Sequence, residues 1–337
     1  MAAPILCDFW YARELPGVVD DFEAVARERL GAARAAHWLG NRWLRGLLLL
    51  HLMRDYAAVA PNWYTYGRLF CIVNALTRRK PAILFECIDF DIAGQRAPVR
   101  FAYELFCRFI LAPAMRATVV ALQVMTARER ESFADRYGIA CDRIKLIPWP
   151  LSGWGRASEL PSPGKDDPSS VFASGRAACD WDTLFEAARR GGWRLSVACG
   201  RRDLAHVQAL NADGRVDIYC DLPAEAHDAL LRRATVYVVS LREQNKSSGQ
   251  ARLADAIAAR VPVVGTAVTG IEGYLIDGVT GVAIRPGDAD AMAGAVSALI
   301  ADPAAAAALT EAAAQHAERW SKADYFKTVA DFAAGAR

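Results

Sequence analysis

A run of small and polar residues in the second half of the chain has the composition of an anion-binding loop. Lys246, Ser247, Ser248 and Gly249 come after an apolar stretch and directly before a segment with helical spacing that starts near residue 251. The first N–H groups of a helix lack backbone partners, and the helix dipole favours negative charge there. Small residues at this point let the main chain approach phosphate oxygens, and a side chain at Gly249 would block that approach. The alternative is an ordinary serine and glycine cap of the helix.

Two arginines stand in a similar context. Arg176 and Arg201 each follow a glycine that ends an apolar run. The guanidinium group presents paired donors that suit phosphate oxygens. If the two apolar runs are strands of one parallel sheet, both arginines lie at the same edge of it and can meet one anion. For Arg201, a solvated basic turn is the open alternative.

Short apolar runs alternate with helical segments, which predicts parallel sheets covered by helices on both faces. In the second half, the predicted strands are 170–175, 193–200, 216–220, 236–240, 261–265 and 281–284, and the predicted helices are 182–190, 223–233, 251–259 and 289–301. The loops that follow these strands should line a common crevice. The first half is less regular, with strands at 56–60, 82–86, 119–124 and 144–150, helices at 21–55 and 97–116, and a last helix of the chain at 317–334.

Length and composition indicate two α/β domains. The chain has 337 residues, of which 53% are apolar, enough for two buried cores. We expect a first domain at 1–151, a second at 170–319, a Gly-, Pro- and Ser-rich linker at 152–169, and a C-terminal helix at 320–337 that packs back on the first domain.

Charge and cysteine usage exclude some classes of function. A net charge of +2 gives no global basic field, so no nucleic-acid partner is expected. The eight cysteines include no CxxC pair, which indicates reduced core thiols in a cytoplasmic protein. No N-terminal signal pattern is present, and the longest apolar run is far shorter than a bilayer requires, so the protein is expected to be soluble or peripheral.

Several segments in chain order, between residues 119 and 326, resemble family 4 glycosyltransferases of the GT-B fold. VMTARER at 124–130 and RIKLIP at 143–148 resemble the end of the family's first domain, and GR at 175–176 followed by WDTLFEA at 181–187 resembles the opening of its donor domain. LADAIAARVPVV at 253–264 resembles the family's LEAMAxGxPVV, and GIEGYLIDGVTGV at 270–282 resembles GGxxExIxDGxTGxLV. The first 118 residues match poorly and lack the family's glycine-rich loop.

The resemblance implies two Rossmann-like domains facing each other across a cleft. It also implies transfer of a sugar from a nucleotide-sugar donor, bound by the second domain, to a glycan or lipid-linked acceptor. The expected transfer proceeds with retention, without a metal ion, and with no cofactor besides the nucleotide-sugar co-substrate; cell-surface glycan or glycolipid assembly is a fitting role. Stabilisation of the departing phosphate is then the main catalytic requirement.

The family's E-x7-E pattern assigns roles to two positions, and this chain departs from it at one of them. Asp255 takes the place of the second Glu, whose carboxylate grips the ribose hydroxyls, and Ser247 takes the place of the first. Glu243 is the nearest remaining acid and becomes a catalytic candidate that faces the donor sugar; a solvated loop acid is its alternative. The family's second phosphate-binding cation falls near Cys179 and Asp180 and is therefore expected to be missing.

Asp89 and Asp91 have the spacing of a DxD metal motif but follow a strand of the first half. We interpret them as part of a loop near the acceptor, and as catalytic candidates rather than metal ligands. In the family, an acid or histidine often lies near that strand end, and Glu86 stands just before them.

Residues 38–54 combine tryptophans, leucines and arginines, and Arg78, Arg79 and Lys80 add a basic cluster. This composition suits contact with a membrane surface or a lipid-linked acceptor, which would place the protein at the inner face of a membrane. A core helix with a charged outer edge is the alternative.

Two other functions stay open. The missing Glu and the missing cation are consistent with a non-catalytic partner subunit that keeps the GT-B fold. A sugar-nucleotide epimerase of the same fold is the other alternative.

Overall fold

The computed structural model describes residues 5–77, 79–89, 92, 95–153, 169–244 and 246–336. Contacts divide the chain into two compact units. Unit 1 comprises Met1–Pro148 and Tyr325–Arg337, and unit 2 comprises Trp149–Asp324. Of the predicted linker, 152–169, residues 154–168 lie outside the described residues.

Unit 1 is built on a six-stranded parallel sheet of order β2-β1-β3-β4-β5-β6. Its strands are β1 (Ile5–Cys7), β2 (Val19–Asp21), β3 (Ala58–Ala60), β4 (Ala82–Leu84), β5 (Val119–Val124) and β6 (Ile144–Leu146). Its helices are α1 (Phe22–Leu30), α2 (Ala32–Leu39), α3 (Arg42–Leu52), α4 (Arg68–Thr77), α5 (Ala97–Phe106), α6 (Ala112–Thr118) and α7 (Ala127–Tyr137). π-helical turns at Trp63–Gly67 and Cys107–Leu111 join α4 and α6, respectively.

The helices α1–α7 lie on one face of this sheet. From β2 onward every connection moves in the same direction along the sheet, and right-handed crossovers then set all the intervening helices on the same side. The inner sides of these helices supply core residues such as Leu49, Phe70, Leu111 and Phe133.

Unit 2 has a second six-stranded parallel sheet, of order β12-β11-β10-β7-β8-β9. Its strands are β7 (Ser170–Gly175), β8 (Arg194–Cys199), β9 (Asp217–Cys220), β10 (Val236–Val239), β11 (Val263–Thr266) and β12 (Val282–Ile284). Its helices are α8 (Trp181–Gly191), α9 (Leu204–Leu210), α10 (Ala224–Arg233), α11 (Gln250–Ala258), α12 (Ala289–Ala301) and α13 (Pro303–Glu318). The last helix, α14 (Lys322–Gly335), starts in unit 2 and continues in unit 1.

Both faces of the second sheet are buried, which is why its strands are continuously apolar. Along β10, Val236 and Val238 join one core cluster, whereas Tyr237 and Val239 join the cluster on the opposite face. This alternation is the period of two expected of a strand in a doubly covered sheet.

The structure differs from the sequence-based prediction in its helices and in two strands. Residues 21–55 do not form one helix but three, because Gly31 adopts a φ of 77° and Asn41 caps the start of α3. The prediction did not include the strands β1 and β2, the helices α4, α7 and α9, or the alanine-rich helix α13. In the described residues no single helix is long and apolar enough to span a membrane, although α12 and α13 together reach that length and composition across a bend of 103°.

Candidate functional site

The carboxyl ends of β7 and β10 form the topological switch point of unit 2. The chain runs from β7 outward through β8 and β9 and then returns to the other side of β7 for β10, β11 and β12. The loops that follow two such strands diverge and leave a crevice, where open α/β sheets bind their ligands. Residues 176–180 and 240–249 follow these two strands, so the predicted anion-binding residues of both loops lie at this point.

Hydrogen bonds join the two loops to each other. The Asp180 N–H donates to the Ser240 carbonyl oxygen at 3.1 Å, and the Ser240 hydroxyl donates to the Asp180 carbonyl oxygen at 2.8 Å. The Arg242 N–H donates to the Ala178 carbonyl oxygen at 2.8 Å. The loops therefore form one rim with little freedom to move apart.

The loop at 246–249 is hydrogen-bonded to the turn that contains Gly270. Ser247 and Ser248 are buried, and the Ser248 N–H donates to the Gly270 carbonyl oxygen at 3.0 Å. The Gln250 amide donates to the same oxygen at 2.7 Å. The Ser248 N–H is thus occupied, and the N–H groups left for a ligand are those of the first turn of α11, which have no partner within the helix. Lys246 is half-buried beside this turn.

The structure gives a different reason for the glycine at position 249 than phosphate approach. The φ of Gly249 is 93°, and a Cβ there would lie 2.9 Å from Cδ1 of Ile271 and 3.0 Å from Cδ1 of Leu241. The missing side chain would point into the protein's own apolar core, not toward a phosphate. The expectation that glycine is needed for phosphate approach is therefore wrong, and backbone conformation and packing supply the reason instead.

The structure brings Arg176 and Arg201 together. Their Nε atoms lie 3.9 Å and 3.5 Å from the two carboxylate oxygens of Asp221, and both side chains are mostly exposed, at 71% and 84%. Exposed ion pairs of this kind are weak, so both guanidinium groups can turn to an incoming anion at small cost.

A third arginine at this edge was missed by the sequence analysis. Arg252, in the first turn of α11, donates from Nη1 to the Ser174 carbonyl oxygen at 2.7 Å and lies 3.6 Å from Sγ of Cys179. A Cβ at Gly175 would lie 2.5 Å from that nitrogen, so the glycine leaves room for the guanidinium. Arg252 places a positive charge beside Cys179, where the second cation was expected to be missing. Its position three residues before Asp255 on one helix was the available signal.

Asp255 is a partly buried carboxylate that makes no hydrogen bond or ion pair with any residue the structure describes. Burial, followed by the negative charge of Asp228, raises the pKa of Asp255 to about 6. Nearby, the Ser174 hydroxyl lies 2.8 Å from Nε2 of His227 and 2.6 Å from the Tyr237 hydroxyl. Burial lowers the pKa of His227, which keeps this imidazole neutral near pH 7.

Glu243 is exposed, and its carboxylate accepts the Thr269 N–H at 3.1 Å and 3.4 Å. Its carboxylate thus caps the short turn Thr269–Ile271. The Gly270 carbonyl oxygen of the same turn accepts the Ser248 N–H. The catalytic role of Glu243 stays a prediction.

In unit 1, Asp89 is buried and fully engaged. Its carboxylate accepts the Tyr137 hydroxyl at 2.8 Å and the Ser132 hydroxyl at 3.1 Å, and it pairs with Arg136. These three residues belong to α7, so Asp89 anchors that helix and has little capacity left for a substrate. Asp91 lies outside the described residues.

Glu86 is a second buried acid at this strand end. It is buried, adopts a φ of 46° that a non-glycine residue rarely takes, and accepts the Tyr325 hydroxyl at 2.8 Å. Burial raises its pKa to about 7.

In the described residues, no group of three or more His, Cys, Asp or Glu side chains is arranged to hold a metal ion.

Two α/β units, each on a six-stranded parallel sheet, are the architecture of the GT-B fold. Residues 180–302 match the family model described as Glycosyl transferases group 1. No curated protein matches the sequence significantly.

Solved structures show the same fold. Anabaena HepE in complex with UDP has a TM-score of 0.66 and 13% identity, covering 85% of this chain and 80% of that one. Sucrose-phosphate synthase from Thermosynechococcus elongatus has a TM-score of 0.65 and 19% identity, covering 94% and 80%. TarM from S. aureus has a TM-score of 0.62 and 13% identity, covering 87% of this chain but 58% of its own. At these identities the likeness shows the fold. Together with the match of residues 180–302 to a glycosyl transferase family model, it confirms the predicted GT-B fold and the resemblance to family 4 glycosyltransferases.

Proposed function

We propose that this chain transfers a sugar from a nucleotide-sugar to an acceptor, and that unit 2 holds the donor at the carboxyl ends of β7 and β10. The observation that carries the proposal is Asp255, a partly buried carboxylate without a partner among the described residues, one turn after Arg252 on α11. An ionised carboxylate accepts two hydrogen bonds at once, which suits the paired hydroxyls of a ribose. The guanidinium one turn earlier suits the diphosphate of the same nucleotide.

The proposed chemistry needs charge stabilisation at the leaving group. As the bond between the sugar C1 and the phosphate oxygen breaks, negative charge grows on the diphosphate, and Arg176, Arg252 and the first N–H groups of α11 neutralise it. The acceptor hydroxyl forms the new bond to C1, and its proton passes to the departing phosphate. This route retains the anomeric configuration and uses no metal ion.

We propose a glycan or lipid-linked acceptor, and a location at the cytoplasmic face of a membrane. HepE has been solved with UDP and with UDP-glucose, and the TarM structure holds UDP together with α-GlcNAc-glycerol. UDP-sugars are therefore the first donors to test, and short glycans and glycosylated glycerols are the first acceptors.

The experiment has two stages. Thermal unfolding with UDP, GDP, ADP and TDP identifies the nucleotide, since a ligand that binds only the native state raises its stability. Labelled sugar from the matching donor is then followed into an acceptor panel. If none of the nucleotides or their sugars shifts the unfolding temperature at high concentration, the transferase proposal is wrong.

Ser247, in the position of the family's first Glu, favours a second candidate, a partner subunit that has kept the fold without the activity. Transfer by the isolated chain would exclude it, and donor binding without transfer would support it. Epimerisation of the donor without an acceptor would instead identify a sugar-nucleotide epimerase.

A further inference from the structure

Unit 1 carries an apolar surface that the described part of unit 2 lacks. Among the described residues, every large apolar side chain that is clearly exposed lies between residues 10 and 110. Leu76 is 80% exposed, Phe109 65% and Phe101 64%. Single exposed apolar residues are ordinary on protein surfaces, but their confinement to one part of one unit is not.

Most of these side chains lie on three neighbouring helical segments. The segment α3 packs beside α4, and α4 packs beside the turn Cys107–Leu111 that continues α5. The exposed residues on them are Trp43, Leu47, Leu69, Leu76, Val99, Phe101, Leu105, Phe109 and Ile110. We call this set the outer helical face.

The outer helical face has no partner in the described part of the chain, because the core contacts of these helices come from other residues. Leu48 and Leu49 on α3, Phe70 on α4, and Cys107 and Leu111 in the turn are buried against the sheet. Each segment is thus apolar both inward and outward. A surface helix that serves only the core has a polar outer side.

The charges around the outer helical face are nearly all positive. Neither α3 nor α4 contains an acidic residue, and Glu104 is the only acid in residues 96–111. Arginines stand directly beside the exposed aromatics: the guanidinium of Arg42 lies 4.6 Å from the ring centre of Trp43, and that of Arg108 lies 5.6 Å from that of Phe109. Tryptophan and arginine side by side over an apolar base suit the headgroup layer of a bilayer that carries negative lipids.

Self-association fits this surface poorly. A two-fold contact would bring the same patch of two copies together and set arginines against arginines. An anionic lipid surface instead offers phosphates to the arginines and acyl chains to the leucines and phenylalanines.

We propose that the outer helical face docks unit 1 on an anionic lipid bilayer, with Leu76, Phe101 and Phe109 inserted below the headgroups and Arg42, Arg96 and Arg108 at the lipid phosphates. The docking goes beyond sugar transfer, because it requires neither donor nor acceptor. The proposed surface differs from the one expected from residues 38–54. Arg45 of that segment is not part of it, because its guanidinium pairs with Asp8 and Glu23. Residues of α4 and α5 belong to the surface as well.

Sedimentation of the full chain with vesicles tests the docking. We expect binding to vesicles that contain phosphatidylglycerol, weak binding to phosphatidylcholine alone, and loss of binding at high salt. The triple variant Leu76→Ser, Phe101→Ser, Phe109→Ser should lower the partition constant for vesicle binding by about tenfold or more. Its thermal unfolding should stay close to that of the parent, since the three side chains are exposed.

A matched pair of charge variants separates local from global charge. Arg42→Gln, Arg96→Gln, Arg108→Gln should weaken binding to phosphatidylglycerol vesicles, whereas Arg189→Gln, Arg215→Gln, Arg260→Gln, which removes the same charge from unit 2, should not. Equal loss in both, or no binding of the parent, overturns the proposal. So does a parent dimer that the triple serine variant dissociates, because the occupant is then a second copy. Nucleotide-induced stabilisation, measured on the same variants, shows separately whether donor binding stands or fails.

Discussion

The phenol oxygen of Tyr325 donates a hydrogen bond of 2.8 Å to Oε1 of Glu86 and accepts one of 3.0 Å from the Gln123 amide. Gln123 in turn accepts the Tyr11 hydroxyl at 3.3 Å. All of these groups are buried in unit 1. The C-terminal segment is therefore joined to the strand ends of that unit by a polar chain that includes one titratable carboxyl group.

The stability of unit 1 should fall as the pH rises toward neutrality. Burial raises the folded-state pKa of Glu86 to about 7, whereas an unfolded Glu has a pKa of about 4.3. The contribution of the protonated group is complete below the unfolded pKa and is lost as the pH rises through about 7. Glu86→Gln keeps the oxygen that accepts from Tyr325 and removes the charge. We expect the variant to be more stable than the parent by on the order of 3 kcal/mol near pH 8, and by little near pH 4.

Urea unfolding of both proteins across this pH range measures the difference. Glu311→Gln is the control, because Glu311 is an exposed residue of α13 paired with Arg260. A difference between the Glu86 variant and the parent that does not grow with pH would contradict the assignment.

Donor binding should weaken at acid pH through Asp255. Its pKa of about 6 in the free protein leaves it ionised at pH 7.5, ready to accept two hydroxyls, and protonation removes that capacity. Calorimetric titration with the nucleoside diphosphate should show affinity falling below about pH 6. Asp255→Asn should bind weakly at every pH and lose the dependence. A steep acid limb that persists in the variant assigns the effect to another group.

Arg252 should contribute to donor binding, although the sequence analysis did not single it out. Arg252→Gln removes the cation beside Cys179, and we expect nucleoside diphosphate affinity to fall by about tenfold or more, about 1.4 kcal/mol. Arg260→Gln, two residues after the same helix ends, is the control and should bind normally. Because Arg252 also holds the Ser174 carbonyl, Arg252→Lys separates charge from geometry: partial recovery of affinity indicates that charge dominates. Normal donor binding by Arg252→Gln would rule Arg252 out of the site.

Gly249→Ala should destabilise unit 2 even without a donor. The substitution places a Cβ 2.9 Å from Ile271 and forces a non-glycine residue to a φ of 93°, which we expect to cost about 1–3 kcal/mol. Gly294→Ala, in the exposed middle of α12 with open space around it, should be neutral or stabilise by about 0.5–1 kcal/mol. Chemical denaturation of the two variants provides the comparison. Unchanged stability of Gly249→Ala would mean that this loop relaxes freely.

The sequence predicted the second sheet well because its strands are continuously apolar and end at turn residues. The strand Ser170–Gly175 and the helix Ala289–Ala301 have the predicted bounds. In unit 1 the strands are three residues long in most cases, and β1 and β2 are too short to give a periodic signal. The helix α13 escaped prediction because a run of alanines has no apolar stripe to recognise.

Within the site, the loop residues were predictable and their partners were not. The order of strands and turns predicted that Ser247, Ser248 and Arg176 follow the ends of strands, because that pattern is local. The contact of Arg252 with Ser174 joins residues 78 apart, and that of Ser174 with His227 joins residues 53 apart. Such pairings depend on how the strands are ordered in the sheet, which composition does not reveal.

The division of the chain has a consequence for its biosynthesis. Unit 2 is continuous, whereas unit 1 needs both Met1–Pro148 and Tyr325–Arg337. On the ribosome, the residues of unit 1 emerge first, but Tyr325 and Phe326 reach their places beside Tyr11 only after all of unit 2 has been made. The unit whose synthesis starts first is therefore completed last. Until Tyr325 has been synthesised, Glu86 and Gln123 lack the hydrogen bonds that its hydroxyl makes with them.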